Sequence, residues 1–340
     1  MRLSVSLPTA SDGKRPGFTL IELLIVIAII AVLLTLTMSA SIKVLGVQES
    51  INSKLTVEKV NDAVHDQWNK TLLQGIKNSR SAATLDQNAY NAITGLAGTQ
   101  NNQIEDAKRF QAIYVAYYMK QQFPHSFAEV LWCNQKNDPR YYNPLGPDQG
   151  FVRQLTNLGV TPNDPPLPGE SSALLLMALE KAIGGPGRLS DTLGSSSVKN
   201  QAYPTAAAGV TVDVRVLKDA WGTPIEFFRW TTNPDVDALA PVSKSLIRNP
   251  LDPEGKLIDP NWVNGTYTQL NNRVLFEQSC YYVTNPAGGN TPYAYYYVPV
   301  IVSAGPNRAL GLDLQTMLPL PTATANDLAD NIYGYQVKKE

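Results

Sequence analysis

The stretch Gly13–Leu36, GKRPGFTLIELLIVIAIIAVLLTL, decides how the chain is read. From Leu23 to Leu34 every residue is apolar, and Glu22 is the one charge between Phe18 and Leu36. A helix rising about 1.5 Å per residue needs about 20 such residues to span a bilayer core of roughly 30 Å. Lys14 and Arg15 precede the run, which predicts a cytoplasmic start and places everything after residue 40 outside. A secretory signal, a simple signal anchor and a buried core helix all fit the apolar run. TLTMSAS, residues 35–41, also passes for a signal cleavage site. None of the three explains Glu22, since an acid inside a membrane helix costs on the order of 3 kcal/mol and usually has a function.

Outward from this run, no proline occurs between Pro16 and Pro124 and no glycine between Gly17 and Gly46. The helix is therefore expected to continue past the membrane. Val60, Val64, Trp68 and Leu72 then recur every fourth residue as an amphipathic stripe, with an end expected at Gly75. Residues 76–205 read as a helical and loop insertion. Helices are expected over 101–122, in PHSFAEVLW (124–132) and over 170–183, with loop over 139–169 and a flexible connector over 190–200. From residue 206 the pattern turns to strands: VTVDVRVL (210–217) alternates, IEFFRW follows the Gly222-Thr223-Pro224 turn, and 273–284 and 293–306 read as two more. Helices followed by nearby strands imply an α+β fold with an antiparallel sheet.

Composition excludes several function classes. The 340 residues carry a net charge of −1, with 17% charged residues, so neither a basic nucleic-acid surface nor an acidic tail is expected. There is no HExxH, Walker or GxGxxG motif, and the two histidines, His65 and His125, are expected at the surface, so no enzyme is expected. Cys133 and Cys280 form no CxxC pair; a single disulfide between them and two buried thiols are the alternatives.

GFTLIELL, Gly17–Leu24, resembles the processing site of type IV pilins and type II secretion pseudopilins. The resemblance implies that a prepilin peptidase cuts between Gly17 and Phe18 and methylates the new N-terminus, with Glu22 becoming the fifth mature residue. Glu22 would then face the Phe18 amine of a neighbouring subunit. Such a pair at about 4 Å attracts by roughly 4 kcal/mol at an effective dielectric of 20, before desolvation is subtracted. Many pilins have a proline where this chain has Ser39.

DAWGTPIEF (219–227) is similar to a segment of the G-type pseudopilin. SAGPNRALGLD (303–313) with NDLADNIYGY (326–335) resembles that family's calcium loop. The resemblance implies a pilin-like fold and possible calcium ligands Asp313, Asp327 and Asp330, with Asn307 and Asn331 as helpers, although Asn307 stands where Asp is common.

The expected organisation is leader 1–17, membrane and polymerisation helix 18–40, amphipathic continuation 41–75, insertion 76–205 and β-sheet domain 206–340. The expected role is a structural pseudopilin-like subunit, anchored in the inner membrane and assembled into a periplasmic type II secretion pseudopilus. Its partners would be prepilin peptidase, other subunits and an inner-membrane assembly platform, with no nucleic acid. A surface type IV pilus subunit and a membrane-anchored ligand-binding domain are the alternatives.

Overall fold

The computed structural model describes residues 19–97, 103–135, 138–182, 193, 197–229, 251–252, 276, 280, 298–314, 317 and 319–337. The fold is α+β, with a long N-terminal apolar helix, shorter helices and small antiparallel sheets. The chain forms two compact units, Met1–Gln48 and Glu49–Glu340.

Helix α1 runs from Leu20 to Arg80, 61 residues. The absence of proline removes the residue that would break it. The TLTMSAS stretch does not interrupt it either. Thr35 Oγ1 donates to Val32 O at 2.8 Å, Thr37 Oγ1 to Leu33 O at 2.9 Å and Ser41 Oγ to Thr37 O at 2.9 Å. These back-bonds satisfy the hydroxyls while the helix continues.

In the larger unit the stripe on α1 forms part of the core: Val57, Val60 and Val64 are fully buried and Trp68 nearly so. The buried face then changes character to Thr71, Gly75 and Ser79. Gly75 is not the end of the helix, which corrects the sequence expectation. A Cβ at Gly75 would lie 2.9 Å from Cδ1 of Tyr118, on helix α4 (Gln103–Gln122). The glycine is there for close helix approach, not for a stop.

Between them come α2 (Ala82–Leu85) and α3 (Gln87–Ala97), the latter packed on α4 with the Tyr90 and Phe110 rings 5.1 Å apart. After α4 follow α5 (Phe127–Leu131), a 3-10 turn (Pro139–Tyr141), α6 (Gln149–Leu158) and α7 (Glu170–Ala182). Ser126 caps α5 through the Glu129 N–H. Helix α6 corrects the expected loop: Asp148 caps its start through the Gly150 N–H, and Gly159, at φ +73°, ends it in the left-handed region. Its Phe151 and Leu155 are buried, so it belongs to the core despite its proline-rich flanks.

Strands β1 (Val198–Pro204) and β2 (Thr211–Leu217) form an antiparallel ribbon, paired from Val198↔Leu217 to Pro204↔Thr211. The expected flexible connector thus ends in a paired strand, and the expected 205/206 boundary falls inside this hairpin. A second sheet has the order β3 (Glu226–Phe228), β4 (Val300–Ser303), β5 (Ile332–Tyr333), antiparallel throughout. Short helices α8 (Ala325–Ala329) and α9 (Gly334–Val337) flank β5. Of the strand expected over 273–284, Phe276 and Cys280 are helical and the rest lies outside the described residues.

The described residues of 76–205 share a core with the spine and the sheets. Trp68 of α1 meets Phe123 at 5.2 Å, and Phe123 meets Phe227 of β3 at 6.0 Å. Phe127 of α5 meets Tyr203 of β1 at 5.1 Å. One hydrophobic cluster therefore contains residues of the spine, the supposed insertion and both sheets.

Candidate functional site: the start of the apolar helix

The carboxylate that made the N-terminal run anomalous has a local role. Thr19 precedes α1, and its N–H and its Oγ1 each donate to Oε2 of Glu22 at 2.9 Å. In return the Glu22 N–H donates to Thr19 Oγ1 at 3.3 Å. This is a reciprocal capping box, Thr-x-x-Glu, which satisfies two amide groups that the first turn of a helix leaves without partners. The negative charge also lies at the positive end of the helix. Both bonds to Glu22 fall on Oε2; neither involves Oε1. Gly17 and Phe18, the expected processing pair, lie outside the described residues.

Beyond the box, every described side chain from Thr19 to Gln48 is exposed. Leu20 is 81% exposed, and Ile25, Ile29 and Leu33 are each more than half exposed. Among the described residues of its own unit nothing covers this apolar surface, and the helix is long and apolar enough to cross a membrane.

The other expected sites fare differently. Asp327 is committed to capping α8, accepting the Thr324 N–H at 2.7 Å, and its other oxygen accepts Asn307 Nδ2 at 3.0 Å. Asp330 accepts the Asn307 N–H at 3.3 Å. Asp313 does not join them; it lies near enough to His125 to act on that imidazole. Among the described residues no three acidic, histidine or cysteine side chains gather as a metal site. Amide donors occupy both oxygens of Asp327 and Oδ2 of Asp330. Two oxygens do meet the chemistry of a hard cation: Asp330 Oδ1 and Asn331 Oδ1 are buried and accept no hydrogen bond.

Cys133 and Cys280 are both buried, and no disulfide joins them. Burial pushes the Cys133 thiol up to about 11, so it is unreactive. His65 is half-buried on α1, and His125, expected at the surface, is buried. The reason is its neighbour Glu129, whose Oε2 accepts the His125 backbone N–H at 2.7 Å and draws the segment inward. Burial pushes the His125 imidazole down to about 4.

Around Glu129 stands an ionic cluster that the sequence reading missed. Arg229 Nη1 and Nη2 donate to its two oxygens at 2.9 and 2.8 Å, and Nη1 also donates to Phe123 O at 2.7 Å. Lys120 Nζ lies 3.9 Å from Glu129 and donates to Arg140 O at 2.6 Å and Tyr142 O at 3.2 Å. Burial alone would raise Glu129; Arg229, with Lys120 behind it, overrides that and holds the carboxyl at about 2. A polar residue within each of YYMKQQF, FAEVLW and EFFRW was the available signal. Both Glu129 oxygens are paired with the Arg229 guanidinium, so the cluster acts as a structural tie between α5 and the end of β3.

Residues 13–38 match the family model of the prokaryotic N-terminal methylation motif. No curated protein and no solved structure matches the chain. The motif indicates a type IV pilin-like precursor processed by prepilin peptidase, and it covers the basic residues, Gly17, Phe18, the Thr19–Glu22 box and the whole apolar run Leu23–Leu34.

Proposed function

We propose that this chain is a structural subunit, cut by prepilin peptidase between Gly17 and Phe18, N-methylated and assembled into a periplasmic type II secretion pseudopilus. The observation that carries the reading is the methylation motif laid directly over an exposed apolar helix whose first turn is held by Thr19 and Glu22. In this reading residues 1–17 are the leader and 18–40 cross the inner membrane, with the N-terminus cytoplasmic and the larger unit periplasmic. Glu22 keeps its own cap with Oε2 and offers Oε1 to the Phe18 amine of the next subunit. Its partners are prepilin peptidase, other pilin or pseudopilin subunits and the inner-membrane assembly platform.

The choice of a secretion filament is supported by two segments that resemble the G-type pseudopilin. They meet: Ser303 Oγ donates to Asp219 Oδ2 at 2.7 Å, and the Ala220 N–H donates to Ser53 Oγ on α1 at 3.0 Å. A second reading, a bulky minor subunit of a surface type IV pilus, is favoured by the size of the larger unit, residues 49–340 in one compact body. Deleting the gene and assaying secreted enzymes and surface filaments separates the two. Lost secretion with intact pili supports the first, and the reverse overturns it. For Glu22, the expected result of Glu22→Ala is a processed subunit that assembles poorly; normal assembly would remove its intersubunit role.

Calcium belongs to this proposal at the C-terminal loop, through Asp330 and Asn331 and without Asp313. The ion would cross-link the loop and supply no chemistry. Thermal unfolding in calcium against a chelator tests it: a rise that Asp330→Asn removes is expected, and identical curves count against it.

A further inference from the structure

The larger unit contains a second pair of buried acids, and they lack what Glu129 has. Glu170, at the first position of α7, and Glu226, on β3, are 0% and 4% exposed. Glu170 Oε1 accepts the Leu167 N–H at 3.0 Å, and Oε2 accepts the Phe127 N–H of α5 at 2.8 Å. Glu226 Oε1 accepts the Gly169 N–H at 2.6 Å, and Oε2 accepts Ser171 Oγ at 2.7 Å. Tyr203 of β1 closes the same corner by donating its hydroxyl to Pro168 O at 3.1 Å. The turn over 167–171 is thus held from both sides by two carboxyl groups, which join α5, α7 and β3, while the Tyr203 hydroxyl ties it to β1.

Among the described residues no cation acts on either acid. The basic groups on the surrounding elements are engaged elsewhere: Arg229 with Glu129, Arg215 with Glu180, Lys181 with Asp148, and Arg140 with Asp138 and Asp164. The titratable groups that do face the pair are each other and Tyr203. Burial disfavours the charged form of each acid, and the repulsion of Glu226 adds to it at Glu170, so uptake of a proton relieves the corner. The amides at the start of α7 favour the anionic form, but burial outweighs them: it raises Glu170 and Glu226 each to about 7.

We propose that Glu170 and Glu226 form a proton-held clasp that fastens α7 to α5 and β3 in mildly acid surroundings and loosens as the medium turns alkaline. The direction follows from linkage. An acid bound more tightly to its proton in the folded than in the unfolded chain contributes stability at low pH. That stability declines between the unfolded value of 4.5 and the folded value of about 7. His125, lowered from 6.5 to about 4 by burial, contributes with the opposite sign below about 6.5, so the clasp is read from the difference between wild type and variants that all keep His125.

The test uses the full chain in detergent micelles, followed by thermal unfolding from pH 5 to 8.5 for the wild type, Glu226→Gln and Glu170→Gln. Relative to each variant the wild type should lose several degrees of Tm from the acid to the alkaline end, so that the variants exceed it at pH 8.5. An infrared titration of the wild type, reading the protonated-carboxyl stretch, needs no variant to fold and should show loss of that band centred near neutrality. A carboxyl band gone well below neutral pH, or variants that keep the wild-type slope, would overturn the clasp.

Discussion

Two stretches of α1 obey the same local rules and have opposite surroundings. From Leu20 to Gln48 the helix displays Leu, Ile and Val to the outside, whereas from Val57 to Trp68 the same kinds of side chain are buried. Helix propensity does not distinguish them, nor does apolar content, which is higher in the exposed stretch. The difference lies in what covers each face. The second stretch has α4, α5 and the sheets of its own chain; the first must find lipid or another subunit. An apolar helix saturated on every side gives no face to a protein core, while a striped one gives a face about 100° wide.

The contrast can be broken by substitution. The largest effect should come from the tie that fixes the larger unit: Arg229→Met leaves Glu129 buried beside Lys120 without its bidentate partner, at an expected loss of about 3–5 kcal/mol in urea unfolding. A loss under about 1 kcal/mol would mean the cluster is incidental. Trp68→Ala should cost about 3–5 kcal/mol, against less than about 0.5 kcal/mol for Ile30→Ala in the exposed stretch. Equal effects would erase the distinction between the two halves of the helix.

Smaller changes sharpen the boundary. Gly75→Ala gains about 1 kcal/mol of helix propensity, but overpacking against Tyr118 costs about 1–3 kcal/mol, so a net loss is expected in calorimetry. A gain would show that the Tyr118 ring moves aside. Thr19→Ala should cost about 1 kcal/mol, confined to the first turn of α1. Faster hydrogen exchange at the Glu22 amide, with the unfolding of the larger unit unchanged, is the expected result. A shift in that unfolding would show that the two ends of the helix are energetically coupled.

Legibility tracked how local the signal was. Helices α4 and α7 and strand β2 stand where periodicity placed them, since each carries its own apolar pattern. Helix α6 carries ordinary capping residues, Asp148 and Gly159, and only its proline-rich flanks make it look like a loop. Strand β1, VKNQAYP, has no alternation, and it is a strand because β2 offers a complete register. His125 is buried because of Glu129, whose partner Arg229 is 100 residues away.

By itself the sequence determined the methylation motif, the uninterrupted apolar helix and the Thr-x-x-Glu spacing of its cap, all of which depend on residues within a turn or a run of one another. Only the tertiary structure decided that residues 76–205 share the core of the spine and the sheets. It alone also assigned the buried carboxyls their opposite states, Glu129 held anionic by Arg229 and Glu170 with Glu226 pushed toward the protonated form. The reason is electrostatic. The charge of a buried acid is set by what folding brings within a few ångströms of it, and neighbours so distant in sequence leave no periodic mark on the chain.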